Sequence, residues 1–295
     1  MGCANQEHRA SHRWLQKNRR LHLQHGPIDL IINADGDPQE CAQAFQQAVA
    51  FFDSVLVTLV NELPLLRTPV STLSGVSFKS VVAQHMHKAV APYADQFVTP
   101  MVCVAGSVAD CTLAKLCRGR TLSRASVNNG GDIALHLSSK AHYKIGICEN
   151  PSINVQHASA RINAASPVRG VATSGWHGRS HSLGIADAVT VLALNASQAD
   201  VAATLIANKI DLPGSRKIKR VAASSLSPDT DLGERAVTVG VQALTSTERY
   251  HALFRGERFA HALVSKGLIN SAILNLQGQQ LVVGQHPLIN WRHCA

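Results

Sequence analysis

The feature that most constrains this chain is a reversal in its middle. Ala125–Asn128 reads as a strand, Asn129-Gly130-Gly131 as a tight turn, and Asp132–Leu137 as a second strand. Glycine admits the positive φ angles that such a turn needs, so the two strands must run antiparallel. Tyr143–Cys148 alternates polar and apolar residues again. The three runs together predict an antiparallel meander.

Other elements are set by periodicity. Ile28–Ala34 reads as a strand, ended by Asp35-Gly36-Asp37-Pro38. From Gln39 to about Asn61, Ala42, Phe45, Val49, Phe52, Leu56 and Leu59 recur at helical spacing, with Pro38 suited to the first turn. Helices are expected over Ser80–Val90 and Val108–Leu116, over Ser197–Asn208 with Ser197 as cap, and over Ser246–Ser265. Strands are expected at 153–156, 168–173, 187–194, 237–244, 268–276 and 280–283, with a polar loop over 225–234. Residues 1–22 read as an irregular or weakly helical arm. The fold class is therefore α+β: antiparallel sheets with helices outside, in two interleaved lobes with the site between them. The domain reading is a basic arm over residues 1–25 and one domain over 26–295.

Composition limits the partners. The chain has 295 residues, 45% of them apolar and 16% charged, which suits a large hydrophobic interior. Aromatics are only 4%, so Ala, Val, Leu and Ile must build the core. Much of the net charge of +9 sits near the start, where Arg9, Arg13, Lys17, Arg19 and Arg20 lie among histidines. This reads as a solvated extension, since no nucleic-acid-binding motif accompanies it. Arg216, Lys217, Lys219 and Arg220 form a second basic cluster after a Pro-Gly turn, which either attracts an anion or is an exposed loop. Seven cysteines without paired spacing read as reduced thiols in a cytoplasmic protein. Cys103, Cys111 and Cys117 read as small core residues. The start lacks an apolar secretory segment, and no run of ~18 apolar residues suggests a membrane span. A homo-oligomer would be in keeping with other small α+β enzymes.

Several residues carry chemistry. Asp200 and Thr204 are one helical turn apart, so a carboxylate and a hydroxyl share a face and can bind a hard cation such as Mg2+. The same pair also fits an acidic first turn and an ordinary helical threonine. Asn129, Gly130, Gly131 and Asp132 can bring backbone N–H groups to an anion or a heterocycle edge, or simply make a hairpin. Thr173, Ser174 and Gly175 place two hydroxyls at a strand end. Gly106 and Ser107 open a helix with small residues that suit either a phosphate or tight packing. His85 and His87 point to different sides of their helix and are a poor metal pair. His177 and His181 fall in a glycine-rich stretch that reads as a loop, where a histidine can act as general base. A Ser-His-Asp hydrolase would need a GxSxG elbow, which is absent.

The motifs Val127–Ile133, Ala172–Gly175, and Ala199, Asp200, Ala203 and Thr204, in this order, resemble the ApbE family of FAD:protein FMN transferases. Gly106 and Asp110 match a further glycine–aspartate segment of that family. The resemblance spans roughly residues 26–283. It implies an ApbE-like fold, with Asp200 and Thr204 on Mg2+ and a nearby backbone carbonyl assisting. It implies FAD or FMN, a small anionic ligand, lying against Asn129, Gly130, Gly131 and Asp132. Gly106, Ser107, Asp110, Thr173, Ser174 and Gly175 complete the ligand-binding set, and His181 or Asp187 is the candidate base. Ala105 stands where the family has lysine, and the segment from His181 to Asp187 is shortened. Those departures support an alternative, a hydrolase or isomerase of small molecules reusing the pocket. A non-catalytic flavin-binding protein is a further alternative.

Overall fold

The computed structural model describes residues 9–15, 20–148, 156–284 and 289–291. The chain divides into two compact units whose segments alternate along the sequence.

The first unit comprises Met1–His142, Asn163–Val171 and Asn195–Ser197. Its strands β1 (Ser11–Leu15), β2 (Arg20–His25), β3 (Ile28–Gly36), β4 (Leu122–Asn129) and β5 (Asp132–Leu137) lie side by side in that order. Every neighbouring pair is antiparallel. The register places Leu21 opposite Ile32, Ile32 opposite Val127, and Val127 opposite Ala134. All four are at most 1% exposed, because a period of two sends alternate side chains to one buried face. At the open end of β5, Ile133 and Ala134 pair with Val171 and Gly170.

The helices of this unit are α1 (Pro38–Val60), α2 (Leu63–Leu66), α3 (Val81–Val90) and α4 (Val104–Cys117). The α1 start is fixed by Asp37, whose carboxylate accepts from the Gln39 and Glu40 N–H groups at 2.8 and 3.2 Å. Ala44, Phe45, Ala48, Phe52, Val55 and Leu59 form its buried stripe. Glu62 then ties α1 to α3, accepting from the Lys79 and Ser80 N–H groups at 2.7 Å each.

Residues 11–15 and 20–22 are strands, not the irregular or weakly helical segment that the sequence suggests. Leu21 and Leu23 carry a period of two that the surrounding Arg and His residues mask. Those polar residues engage one another: Arg13 Nε donates to His22 Nδ1 at 2.9 Å, leaving His22 Nε2 to donate to Asp29 at 3.0 Å. Trp14 meets Phe45 edge-on at 5.0 Å.

By length and composition α1 and the helical run Pro100–Cys117 could each cross a bilayer. A search for uninterrupted apolar runs misses both. Their buried stripes in this unit are those of core helices.

The second unit comprises Tyr143–Ile162, Ala172–Leu194 and Gln198–Ala295. It includes β6 (His142–Cys148), β7 (Gln156–Asn163), β8 (Gly170–Ser174), β9 (Ala188–Ala193), α5 (Ala196–Lys209), β10 (Ile218–Ala222) and α6 (Ala223–Leu226). After them come β11 (Ala236–Val241), α7 (Ser246–Ser265), β12 (Ser271–Leu276), β13 (Gln279–Gly284) and β14 (Ile289–Trp291). The first residues of β6, β8 and α5, and the last of β7, group with the first unit.

Strands β8, β9, β12 and β13 are neighbours in that order, β10 pairs with β11, and β14, β7 and β6 form a three-stranded sheet. The pairs with β12 are antiparallel, with Ile273 opposite Thr190 on one side and Val282 on the other. All of β12 is buried. On one of its faces α7 comes so close that a Cβ at Gly256 would lie 2.3 Å from Ile210 and 3.2 Å from Leu274. A capping box of Thr245 and Glu248 starts α7.

The α+β class with antiparallel sheets is as expected, but the three-run meander is not: β4 and β5 form the hairpin, β5 then pairs with β8, and β6 joins β7 and β14 in a separate sheet. The expected strand at 153–156 falls, apart from its last residue, outside the described residues. Helix α4 starts four residues earlier than expected, since the turn Pro100–Cys103 leads straight into it.

Candidate functional site

In the second unit, the site is built on α5 and the end of β8. Alanine dominates α5, and Ala199, Val201, Ala202, Ala203, Ile206 and Ala207 are fully buried. The helix is therefore enclosed on most sides, and its polar residues are the exceptions that need partners. Asp200 is only 8% exposed. One turn later, Thr204 Oγ1 donates to Ser174 Oγ at 3.2 Å. Thr173 and Thr190 share a hydrogen bond of 2.8 Å between hydroxyls on adjacent strands. Asp200, Thr204 and Ser174 supply only oxygen donors, the chemistry that Mg2+ prefers. Among the described residues there is no cluster of three or more His, Cys, Asp or Glu side chains arranged to hold a metal.

The chain leaving β8 depends on Gly175. A Cβ there would sit 2.1 Å from the Asp187 carbonyl oxygen, so only glycine permits this approach. The Asp187 carboxylate is well occupied. It accepts from Trp176 Nε1 at 3.1 Å and from the Gln277 N–H at 2.5 Å, and it lies 3.3 Å from His177 Nε2. The Trp176 and His177 rings lie 3.9 Å apart. Asp187 thus meets His177, while His181 is half-buried in the same loop. Just beyond His181, Asn208 Oδ1 accepts from the Leu183 N–H at 3.0 Å, and Ile185 N–H donates to Ile210 at 2.8 Å. The loop is laced to the end of α5.

Sequence reasoning did not single out Asn275. Its backbone carbonyl accepts from the Asp187 N–H at 3.0 Å, its side chain is 3% exposed, and both amide atoms lack a partner among the described residues. Leaving such atoms unpaired costs about 1–3 kcal/mol each, a cost that a ligand or water would offset. No local motif marks this residue, because its burial comes from the sheet.

In the first unit, Asp110 is the centre. Its carboxylate accepts from the Ala196 N–H at 2.9 Å and the Ser197 N–H at 2.8 Å. It therefore occupies the amides that open α5, the position at which a negative charge is most favourable. Ser197 is inside the first turn and does not act as the expected cap; the carboxylate from another element takes that role. His85 Nε2 lies 3.1 Å from both Asp110 Oδ2 and Ser197 Oγ. Both contacts use the same ring nitrogen, so the three are not a charge-relay triad, which needs one partner on each nitrogen. His85 is 25 residues from Asp110 and 112 from Ser197, a separation that no local pattern spans.

Gly106 serves packing: a Cβ there would meet the Ala196 carbonyl oxygen at 2.5 Å. Ser107 is fully buried, with its hydroxyl 3.7 Å from Cys103 Sγ. Asn129 Nδ2 donates to the Ala105 carbonyl at 3.1 Å, fixing the backbone at the position where the resembling family has lysine. In the turn, Gly130 and Gly131 have φ angles of 64° and 117°. The Gly131 N–H donates to Asn128 Oδ1 at 2.8 Å, so this amide is occupied within the hairpin itself. Asp132, half-buried, pairs across the turn with Asn129.

Comparison with known proteins gives three kinds of likeness. A family model described as "AbpE bacteria" matches residues 12–282. A UPF0280 protein of Methanopyrus kandleri is 35% identical over 185 residues, covering 61% of this chain and 69% of its own length. A UPF0280 protein of Methanobrevibacter smithii is 40% identical over 113 residues, 38% of this chain and 46% of the relative. The chain thus spans about half the length of the latter. Among solved structures, a flavinyl transferase ApbE of Pseudomonas stutzeri in its apo form is 11% identical with a TM-score of 0.40, covering 93% of both chains. A flavin transferase ApbE of Vibrio cholerae is 13% identical with a TM-score of 0.39, covering 93% of this chain and 97% of that one. With the family model matched across nearly the whole described sequence, the chain belongs to the AbpE bacteria family, the ApbE-like group to which its motifs point.

Proposed function

We propose that this protein is an ApbE-like enzyme that binds FAD with Mg2+ and transfers its FMN portion to an acceptor hydroxyl, the new phosphoester forming as the pyrophosphate bond breaks and AMP leaves. The observation that carries the proposal is the hydrogen bond between Thr204 and Ser174, one helical turn beyond the nearly buried Asp200. A carboxylate and two hydroxyls in the second unit form an oxygen-only donor set, and this fits a hard cation. Asp200 and Thr204 would hold Mg2+, with Ser174 beside them. When bound, the cation would polarise a phosphoryl oxygen of the substrate.

The remaining work falls to side chains. Thr173 and Thr190 join hydroxyls on the face of β8 opposite to Ser174, so Ser174 and Thr204 are the hydroxyls that suit phosphate oxygens near Asp200. The buried amide of Asn275 offers one donor and one acceptor face to a heterocycle. Asp187 holds Trp176 and His177 in place. His181 is the candidate to take the proton from the acceptor hydroxyl.

Ala105 favours a second reading. The alanine side chain cannot supply the cation that the resembling family places there, which suits a hydrolase or isomerase acting on a less charged molecule. The seven cysteines without paired spacing are in keeping with a cytoplasmic location.

The test is calorimetric titration of FAD and FMN with and without Mg2+, on the natural protein and on Asp200→Ala. Binding of FAD that requires Mg2+ and is lost in the variant supports the proposal. Binding that ignores both Mg2+ and the substitution removes the metal role. Absence of flavin binding favours the second reading.

A further inference from the structure

The second unit carries a cleft of about 470 Å³ lined by the turn Asp211–Ser215 and by Glu248, His251 and Arg255 of α7. This volume is in the range of small-ligand sites. The cleft shares no lining residue with the Asp200–Thr204 cluster, so binding there does not depend on whether that cluster holds a metal.

Two features shape it. Gly214 adopts φ +79°, and the Ser215 N–H closes the turn on the Leu212 carbonyl at 3.2 Å. On the helix, Glu248, His251 and Arg255 are spaced i, i+3 and i+7, a single stripe along one face.

Charge decides what the cleft can take. Its two acids are already neutralised: Asp211 pairs with Arg220, and Glu248 with Lys217 at 2.7 Å. Half of the basic cluster seen in the sequence is thereby committed to these acids. Arg255 and His251 are exposed and have neither an ion pair nor a hydrogen bond among the described residues. The Lys217 N–H donates to Ser215 Oγ at 3.4 Å, leaving the hydroxyl proton to be given elsewhere. Arg216 and Lys219, both exposed, add to the positive field. The uncommitted groups that line this cleft are thus all donors or cations.

We infer that the cleft between the Asp211–Ser215 turn and α7 binds a small molecule bearing a multiply charged oxyanion, a phosphate or a polycarboxylate. Arg255 grips two of its oxygens through the planar guanidinium. His251 and Ser215 donate to others. The pairing of Asp211 and Glu248 with Arg220 and Lys217 keeps both carboxylates from repelling the ligand.

The experiment is calorimetric titration in low-salt buffer with inorganic phosphate and, separately, with succinate. It compares the natural protein with Arg255→Met, His251→Gln and the control Lys140→Met, which removes an exposed cation from the first unit. Arg255 and His251 are exposed, so their loss leaves the core intact, and circular dichroism checks this. Saturable binding weakened about tenfold or more by Arg255→Met and by His251→Gln, but not by Lys140→Met, supports the site; this is the loss expected for one charge-assisted hydrogen bond. Whichever oxyanion binds more tightly identifies the ligand class. Absence of saturable binding of both anions overturns the inference. So does equal weakening by Arg255→Met and Lys140→Met, which would mean diffuse charge attraction alone.

Discussion

Replacing Asp110 with asparagine tests how α5 is held. The Asp110 carboxylate is 11% exposed and accepts from two helix-opening amides at 2.9 and 2.8 Å. Hydrogen bonds to a charged group contribute about 1.5–3 kcal/mol each. Asparagine keeps one acceptor oxygen but turns an NH2 group toward the other amide, so one bond survives in weaker form and one N–H is left unpaired. Losing the charge at a helix start removes a further ~0.5 kcal/mol. Together these give a loss of about 3 kcal/mol, a large part of the 5–15 kcal/mol typical of a domain. Urea denaturation followed by circular dichroism measures it. With a slope of roughly 1–3 kcal/mol per molar, the midpoint should fall by about 1 M or more. Hydrogen exchange at the Ala196 and Ser197 amides should quicken in parallel. A midpoint shift below about 0.3 M would refute the reasoning. So would an equal loss in His85→Ala, because His85 is 32% exposed and its contact should contribute only ~1 kcal/mol.

Two substitutions in the second unit probe its packing and its charge pairing. Gly175→Ala should destabilise by about 3 kcal/mol or more, since its Cβ would meet the Asp187 backbone oxygen at 2.1 Å; an unchanged melting temperature would disprove the close approach. The Glu248 carboxyl is lowered from 4.5 to about 2, first by the hydrogen bond from Lys217 and then by the Thr245 N–H. A depressed acid adds stability that is present above its unfolded pKa and is lost as pH falls through the folded value. Glu248→Gln should therefore melt below the natural protein above about pH 4.5, with the gap closing toward pH 2. A gap that stays constant across this range would show that the Lys217 pairing contributes nothing.

The elements that were legible in the sequence are those whose signal is local. The Asn129-Gly130-Gly131 hairpin, the span of α1 and the alanine-rich α5 each follow from residues within a few positions of one another. The buried stripe of α1, however, keeps Phe45, Phe52 and Leu59 of the expected set and replaces Ala42, Val49 and Leu56 with Ala44, Ala48 and Val55. The hairpin of β1 and β2 was not legible, because arginines and histidines interleave with Leu21 and Leu23, whose burial comes from β3 beside them and from α1, distant in sequence. The spacing of Asp200 and Thr204 was readable on one helix, but the contact with Ser174 crosses 30 residues. His85 and Asn275 were invisible as partners for the same reason.

The glycines bring these two levels together. A motif glycine invites a reading as a ligand cradle, yet Gly106 and Gly175 are where one backbone passes within 2.5 and 2.1 Å of where their side chains would begin. Their pattern in the sequence therefore encodes close packing beside the polar residues. At Gly106 that packing lays α4 against the Ala196 carbonyl, the helix start whose amides Asp110 occupies. At Gly175 it lays the chain leaving β8 on Asp187, which in turn fixes Trp176 and His177. The small residues and the carboxylates thus act in pairs, the first permitting an approach and the second locking it with hydrogen bonds. A substitution at either member should loosen the same contact, which is why Gly175→Ala probes the site without replacing a polar side chain in it.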